Sequence, residues 1–183
     1  MAWRAAAAQV ASADWVFVDE CGVATNLVRR YGRAEGGARA VGTAPYGRWE
    51  RLTIFGALSL AGALGACMAV EGAADTRATV AFVEQVLGPT LRPGQVVVMD
   101  NLAPHKAPRV RALIEAAGCT LLLLPPYSPD FNPIEQAWSK LKALLRAIGA
   151  RTTEALHAAL AAVIDRITTA DTAGYFRHCG YAR

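Results

Sequence analysis

QVVVMDNLAPHKAPRVRALIEAAGCTLLLL, residues 95–124, sets the architecture. The valines of Gln95–Asp100 predict a short buried strand. Pro104–Ala117, with Val110, Leu113 and Ile114 on one face and Gly118 behind it, predicts a helix. Thr120–Leu124 predicts a second buried strand, stopped by Pro125-Pro126. Upstream, Asp75–Leu87 reads as a helix capped by Asp75 or Thr76 and ended by Gly88-Pro89. Before it, Leu52–Leu60 and Ala63–Val70 read as a hairpin turning near Ala61-Gly62, and Asp14–Glu20 as the first strand. Between that strand and the hairpin, Cys21–Glu50 is rich in glycine and arginine and predicts irregular extended structure. Downstream, Ile134–Ile148, Thr153–Ile167 and about Ala170–Cys179 carry helical stripes. Three strands followed by helix, strand, helix and strand imply an α/β fold, a mixed five-stranded sheet with helices on its faces. With no internal repeat or linker, residues 1–183 read as a single domain.

The 183 residues, 54% of them hydrophobic, suffice for one real core. The uncharged run of nineteen residues from Leu52 to Val70 just reaches the length of a membrane span, but Gly56, Gly62 and Gly65 interrupt it, and the hairpin is the better reading. The N-terminus lacks the apolar centre and cleavage site of a signal peptide. Cys21, Cys67, Cys119 and Cys179 are far apart and read as reduced, buried thiols of a cytoplasmic protein, with a Cys21 nucleophile as the minor alternative. The net charge is +4, and basic residues cluster at Arg29, Arg30, Arg33, Arg39, Arg48 and Arg51, then at Lys140, Lys142 and Arg146. Such a balance suits a polyanion, or simply a solvated basic surface.

Three carboxylates stand where strand ends and a helix start can bring them together. Asp19 ends Trp15-Val16-Phe17-Val18, Asp100 ends Val96-Val97-Val98-Met99, and Glu135 follows Asn132-Pro133 at the start of a helix. Side chains at adjacent strand ends line a crevice in sheets of this kind. Three convergent carboxylates are a cage for hard divalent cations. Each also has a plainer reading. The aspartates suit turn chemistry, and Glu135 suits a capping box with Asn132 as N-cap and Pro133 as first helical residue. Glu20 points to the opposite face from Asp19 if the strand continues, and Asp130 is a rival third acid that the flanking prolines assign to bracing the loop. His105 and Lys106, just after Asp100, are candidates to touch a phosphate.

FVDECG (17–22), VVMDNLAPHK (97–106) and LPPYSPDFNPIEQAWSKLK (124–142) resemble the three catalytic blocks of DDE transposases, in the bacterial insertion-sequence branch related to mariner elements. RRYGR, the run Pro45–Trp49 and YFRHCGY extend the resemblance over nearly the whole chain. Cys21 departs from it, standing where relatives usually carry threonine, as does the turn at Ala61-Gly62, which lacks the usual polar residue.

The resemblance implies a ribonuclease H-like fold and Asp19, Asp100 and Glu135 as catalytic, metal-binding acids. It implies two Mg²⁺ ions, replaceable by Mn²⁺, about 4 Å apart with Asp19 bridging them. The activity implied is DNA strand cleavage to a 3′-hydroxyl, followed by strand transfer (DNA integration). The partners implied are element ends and a TA-containing target, contacted through Arg29, Arg30, Arg33, His105, Lys106 and Lys140, with a homodimer as the active unit and nucleoid-associated action. Since only eighteen residues precede Asp19, the helix-turn-helix module of relatives is expected on a partner chain or a frameshift-fused segment. The competing expectations are a catalytically silent fragment of a decayed element and another ribonuclease H-like nuclease.

Overall fold

The computed structural model describes residues 3, 7–29 and 31–182. Five strands form one sheet: β1 Trp15–Ala24, β2 Arg51–Ser59, β3 Ala63–Glu71, β4 Val96–Met99 and β5 Thr120–Leu123, in the order β3-β2-β1-β4-β5. The β1–β2 and β2–β3 pairs are antiparallel, whereas β1–β4 and β4–β5 are parallel. The Leu52–Val70 run is thus the predicted hairpin. Among the described residues no helix is long and apolar enough to cross a membrane.

The helices are α1 Thr76–Phe82, α2 Pro108–Ala116, α3 Ile134–Ile148, α4 Thr153–Val163 and α5 Thr169–Cys179. Asp75 caps α1 by accepting from the Ala78 N–H at 2.7 Å. A π turn at Val83–Leu87 and a 3-10 turn at Gly88–Thr90 continue that helix, so Gly88-Pro89 tightens the end instead of stopping it. The helix expected over Pro104–Ala117 is two pieces, a 3-10 turn at Pro104–Lys106 and then α2. Pro108 cannot donate a backbone hydrogen bond and restricts Ala107, which sits at ψ 131° and breaks the helix there. Gly118 (φ +73°) and Gly149 (φ +70°) close α2 and α3 in the left-handed region that glycine adopts without a Cβ clash.

Strand alternation divides the core in two. Trp15, Phe17, Cys21 and Val23 of β1 point to the face covered by α3, α4 and α5, where they meet Ile134, Trp138, Leu141, Leu156, Val163 and Phe176. Val16 and Val18 point to the other face, with Phe82, Leu87, Val110 and Ile114 from α1, the π turn and α2. Parity therefore sends Asp19 toward α3 and Glu20 toward α2.

The first strand is longer than its apolar run predicts. It continues past Glu20 because β2 pairs with it as far as Ala24↔Arg51. Asp19 thus sits inside β1, opposite Gly56 of β2, and not at its end. Its parallel partner does stop there: β1–β4 pairing covers only Trp15↔Val96, Val16↔Val97 and Phe17↔Val98. Beyond Phe17 the β4 side of β1 opens into a cleft.

Candidate active site

The cleft, about 470 Å³, is lined by Asp19, Asp100, Asn101, Leu102, Lys106, the loop Leu124–Pro129, Asn132 and Glu135. The three acids singled out in the sequence thus share one cavity, delivered by β1, by the residue after β4, and by the first turn of α3. Asp130 is exposed and does not line it.

Asp19 is 8% exposed. Its Oδ1 accepts the Glu20 N–H at 2.8 Å, and its Oδ2 accepts the side-chain amide of Asn132 at 3.2 Å. Burial pushes the Asp19 carboxyl up to about 7. The Glu20 N–H opposes that rise, and the charges of Glu135, Glu20 and Asp100 add to it.

On the plainer reading Asn132 would cap α3 and Glu135 would complete a capping box. Neither does so. The helix starts at Ile134, no side chain caps it, and Glu135 is its second residue. The Asn132 amide donates to the buried Asp19 carboxylate instead, and the first N–H groups of α3 find backbone acceptors, Glu135 N–H on the Asn132 carbonyl at 3.2 Å and Gln136 N–H on the Pro133 carbonyl at 3.3 Å. The Asn132 Oδ1 is buried and finds no partner among the described residues.

Asp100 is half-buried. Its Oδ1 accepts both His105 Nδ1–H at 2.6 Å and the Leu102 N–H at 2.9 Å. Burial pushes its carboxyl up, but the hydrogen bonds from His105 and Leu102, with the positive charges of His105 and Lys106, outweigh burial and hold it below the usual carboxylate range.

His105 was expected at a phosphate. It is instead 1% exposed, with Nδ1 on Asp100 and Nε2 at 2.9 Å from Glu20 Oε1. Carboxylates only accept, so both ring nitrogens donate and the ring is an imidazolium. Burial works against that charge, but the bonds to Asp100 and Glu20 prevail and raise its pKa to about 10.

The other basic residues divide. Lys106 is exposed on the cleft wall. Lys140 is tied to Asp171 at 2.6 Å, which removes it from the free cations among the described residues. Arg29 and Arg33 are exposed in the segment between β1 and β2 and do not line the cleft; Arg30 lies outside the described residues. All four cysteines are free. Burial pushes the Cys21 thiol up to about 11, against the nearby Lys142, which disposes of a thiolate nucleophile there.

Sequence reasoning missed Asn132 and Glu20 as members of this network. Strand parity signals Glu20. For Asn132, the Asn-Pro pair at a helix start gives the wrong local signal.

Among the described residues no group of three or more His, Cys, Asp and Glu side chains stands ready-made around a cation position. The donor set nevertheless suits a hard cation. It consists of carboxylate oxygens, and the Asp19 carboxyl, which burial and three like charges hold up near 7, is one that a positive ion would return to its ionised form.

A mixed sheet in this order, with acids beside its two central strands and on a helix crossing one face, defines a ribonuclease H-like domain. Residues 14–157, which contain all three acids, match the family described as DDE superfamily endonuclease, and the chain belongs to that family. Similar solved structures include the Mos1 strand transfer complex, with a TM-score of 0.64 at 19% identity over 92% of this chain and 51% of that one. The Mos1 transposase paired-end complex with left transposon end gives 0.64 at 16% over 92% and 52%. The mariner Mos1 paired end complex with Mg gives 0.64 at 18% over 91% and 51%. At these identities the likeness is one of fold. The chain spans about half the length of these Mos1 chains. No curated protein sequence matches it.

Proposed function

We propose that this chain is the catalytic domain of a DNA transposase, which hydrolyses a phosphodiester to leave a 3′-hydroxyl and then joins that hydroxyl to a target strand. The observation that carries the reading is the convergence of Asp19, Asp100 and Glu135 on one cleft. Family membership and the fold shared with Mos1 complexes, two of them named for Mg and Mn, support it.

Asp19, Asp100 and Glu135 hold two Mg²⁺ ions, with Mn²⁺ as a substitute. When bound, these ions supply Lewis-acid activation of the attacking oxygen and neutralise charge on the phosphate. The chain's own residues prepare the site. Asn132 and the Glu20 N–H fix both oxygens of Asp19. His105 and the Leu102 N–H share Asp100 Oδ1, which leaves Oδ2 for the cleft. Lys106 adds a cation on the cleft wall for a phosphate.

Arg29 and Arg33, exposed outside the cleft, contact flanking DNA, and Arg30 is assigned the same role from its place in the sequence. Element ends are recognised by a helix-turn-helix module on a partner or fused segment, a homodimer is the working unit, and TA steps are the targets.

The test is nicking of element-end DNA with Mg²⁺ or Mn²⁺ by the chain and by Asp19→Asn, Asp100→Asn and Glu135→Gln. Each substitution should abolish nicking with the fold intact by circular dichroism. Retained nicking in Glu135→Gln would remove that residue from the triad. Nicking without strand transfer from a 3′-hydroxyl donor would favour a simple nuclease, and a wild-type chain that binds no Mn²⁺ would favour a silent fragment.

A further inference from the structure

We infer that Glu20 and His105 form a positioning pair that sets the cation affinity of the cleft from behind the sheet; the inference rests on the function proposed above. Asp19 and Glu20 are consecutive in β1, so alternation points Asp19 into the cleft and Glu20 to the far face. His105 joins that far side to the cleft. Its Nε2–H donates to Glu20 Oε1 at 2.9 Å and its Nδ1–H to Asp100 Oδ1 at 2.6 Å. Only 1% exposed and bonded at both nitrogens, the ring does not line the cleft. It acts only through Asp100.

Three physical consequences follow from this arrangement. With Oδ1 of Asp100 occupied by His105 and Leu102, the carboxylate is held in one rotamer, and Oδ2 has no partner among the described residues. Glu20, with a side chain 12% exposed, anchors the far edge of the ring so that it cannot rotate away from Asp100. The two bonds run from Glu20 through the ring to Asp100, so one side chain ties the far face of the sheet to the cleft. Removing Glu20 frees the ring, and removing the ring frees Asp100. Outer partners that orient a ligating carboxylate in this way characteristically change metal affinity about 10–100-fold.

The experiment measures Mn²⁺ affinity of the DNA-free chain by electron paramagnetic resonance titration, with melting temperature recorded in parallel. The proteins are wild type, Glu20→Gln, His105→Gln and the double variant. We expect His105→Gln to weaken Mn²⁺ binding at least tenfold and Glu20→Gln to weaken it severalfold. The double variant should be no weaker than His105→Gln, because Glu20 works through the ring. A purely structural role would lower the melting temperature and leave the Mn²⁺ affinity of the folded fraction unchanged, and that result overturns the inference. Additive losses in the double variant overturn the proposed order of action. If His105→Gln does not fold, Glu20→Gln alone decides, since wild-type affinity in that variant is equally fatal. A wild-type chain that binds no Mn²⁺ sinks the proposed function itself, an outcome distinct from equal binding by all four proteins.

Discussion

Asn132 donates its side-chain amide to Asp19 Oδ2 at 3.2 Å across 113 residues of chain, tying the loop before α3 to the centre of the sheet. The bond is the sole side-chain donor to that carboxylate among the described residues, and it sits beside the turn that carries Glu135. It therefore couples the placement of two of the three acids.

Asn132→Ala should lower cation-dependent nicking by about 10–100-fold, as loss of a partner that orients a ligand does. Its effect on stability should be a modest loss, because Asp19 Oδ2 loses a buried donor while the Asn132 Oδ1, buried without a partner among the described residues, is removed with it. Nicking rates and melting temperatures of the same preparations check this. A large drop in melting temperature with unchanged nicking would reverse the assignment.

In the absence of divalent cations the fold should weaken as pH rises. Asp19 has its carboxyl raised from 3.8 to about 7 by burial, so the folded state prefers the protonated form. Both states are protonated below about pH 4, and no difference arises there. Between about 4 and 7 the unfolded chain gives up its proton first, and each step of one in pH costs the fold about 1.4 kcal/mol, a few kcal/mol in all. Asp19→Asn should flatten that limb of a melting-temperature-against-pH curve, and Mg²⁺ should restore stability to wild type but not to the variant. His105, raised to about 10, acts in a higher window: its contribution is complete below about 6.5 and is lost as pH climbs through 10.

Lys106 and Lys140 should differ in their effect on DNA binding. Lys106 is exposed on the cleft wall, whereas Lys140 is paired with Asp171. Lys106→Ala should reduce the slope of log affinity against log salt by about one, the signature of one lost phosphate contact, and Lys140→Ala should leave it near wild type. Fluorescence anisotropy with duplex DNA between about 50 and 200 mM salt resolves the two. Equal slopes for both variants would mean that the ion pair opens on DNA.

Much of this architecture was legible in the sequence, and the exceptions share a cause. The hairpin, the strand at Val96–Met99 and the helix Ile134–Ile148 announce themselves by local pattern, and local pattern was sufficient. Pattern failed where a partner distant in sequence decides. Glu20-Cys21-Gly22 looks like a strand end, yet pairing of Cys21 with Ile54 and Gly22 with Thr53 carries β1 onward. Asn132 has the chemistry of a cap, which uses its side-chain oxygen, but a buried carboxylate 113 residues away holds its amide as donor, and no N–H of α3 reaches that oxygen. His105, with prolines nearby on both sides, reads as a surface residue, and only the fold reveals Glu20 waiting behind the sheet. Family resemblance named the acids. It could not name what holds them.

Gly56 offers a test of how the sheet positions Glu135. It pairs with Asp19 across β1 and β2, and a Cβ there would meet Trp138 Cη2 at 2.5 Å and Leu64 Cδ1 at 3.0 Å. Trp138 is 2% exposed and lies one turn beyond Glu135 on α3, so the indole rests against the bare glycine and sets how closely the helix approaches the acids. Gly56→Ala must displace the ring, and overpacking of this sort costs about 1–3 kcal/mol. The shift lifts the start of α3, so cation-dependent nicking should fall further than the loss of stability alone explains. Trp138→Phe supplies the missing room and removes an indole N–H that is buried without a partner among the described residues. The double variant should therefore regain nicking relative to Gly56→Ala. Gly56→Ala with wild-type nicking, or a double variant no better than the single, would show that contact with Trp138 does not govern where Glu135 stands.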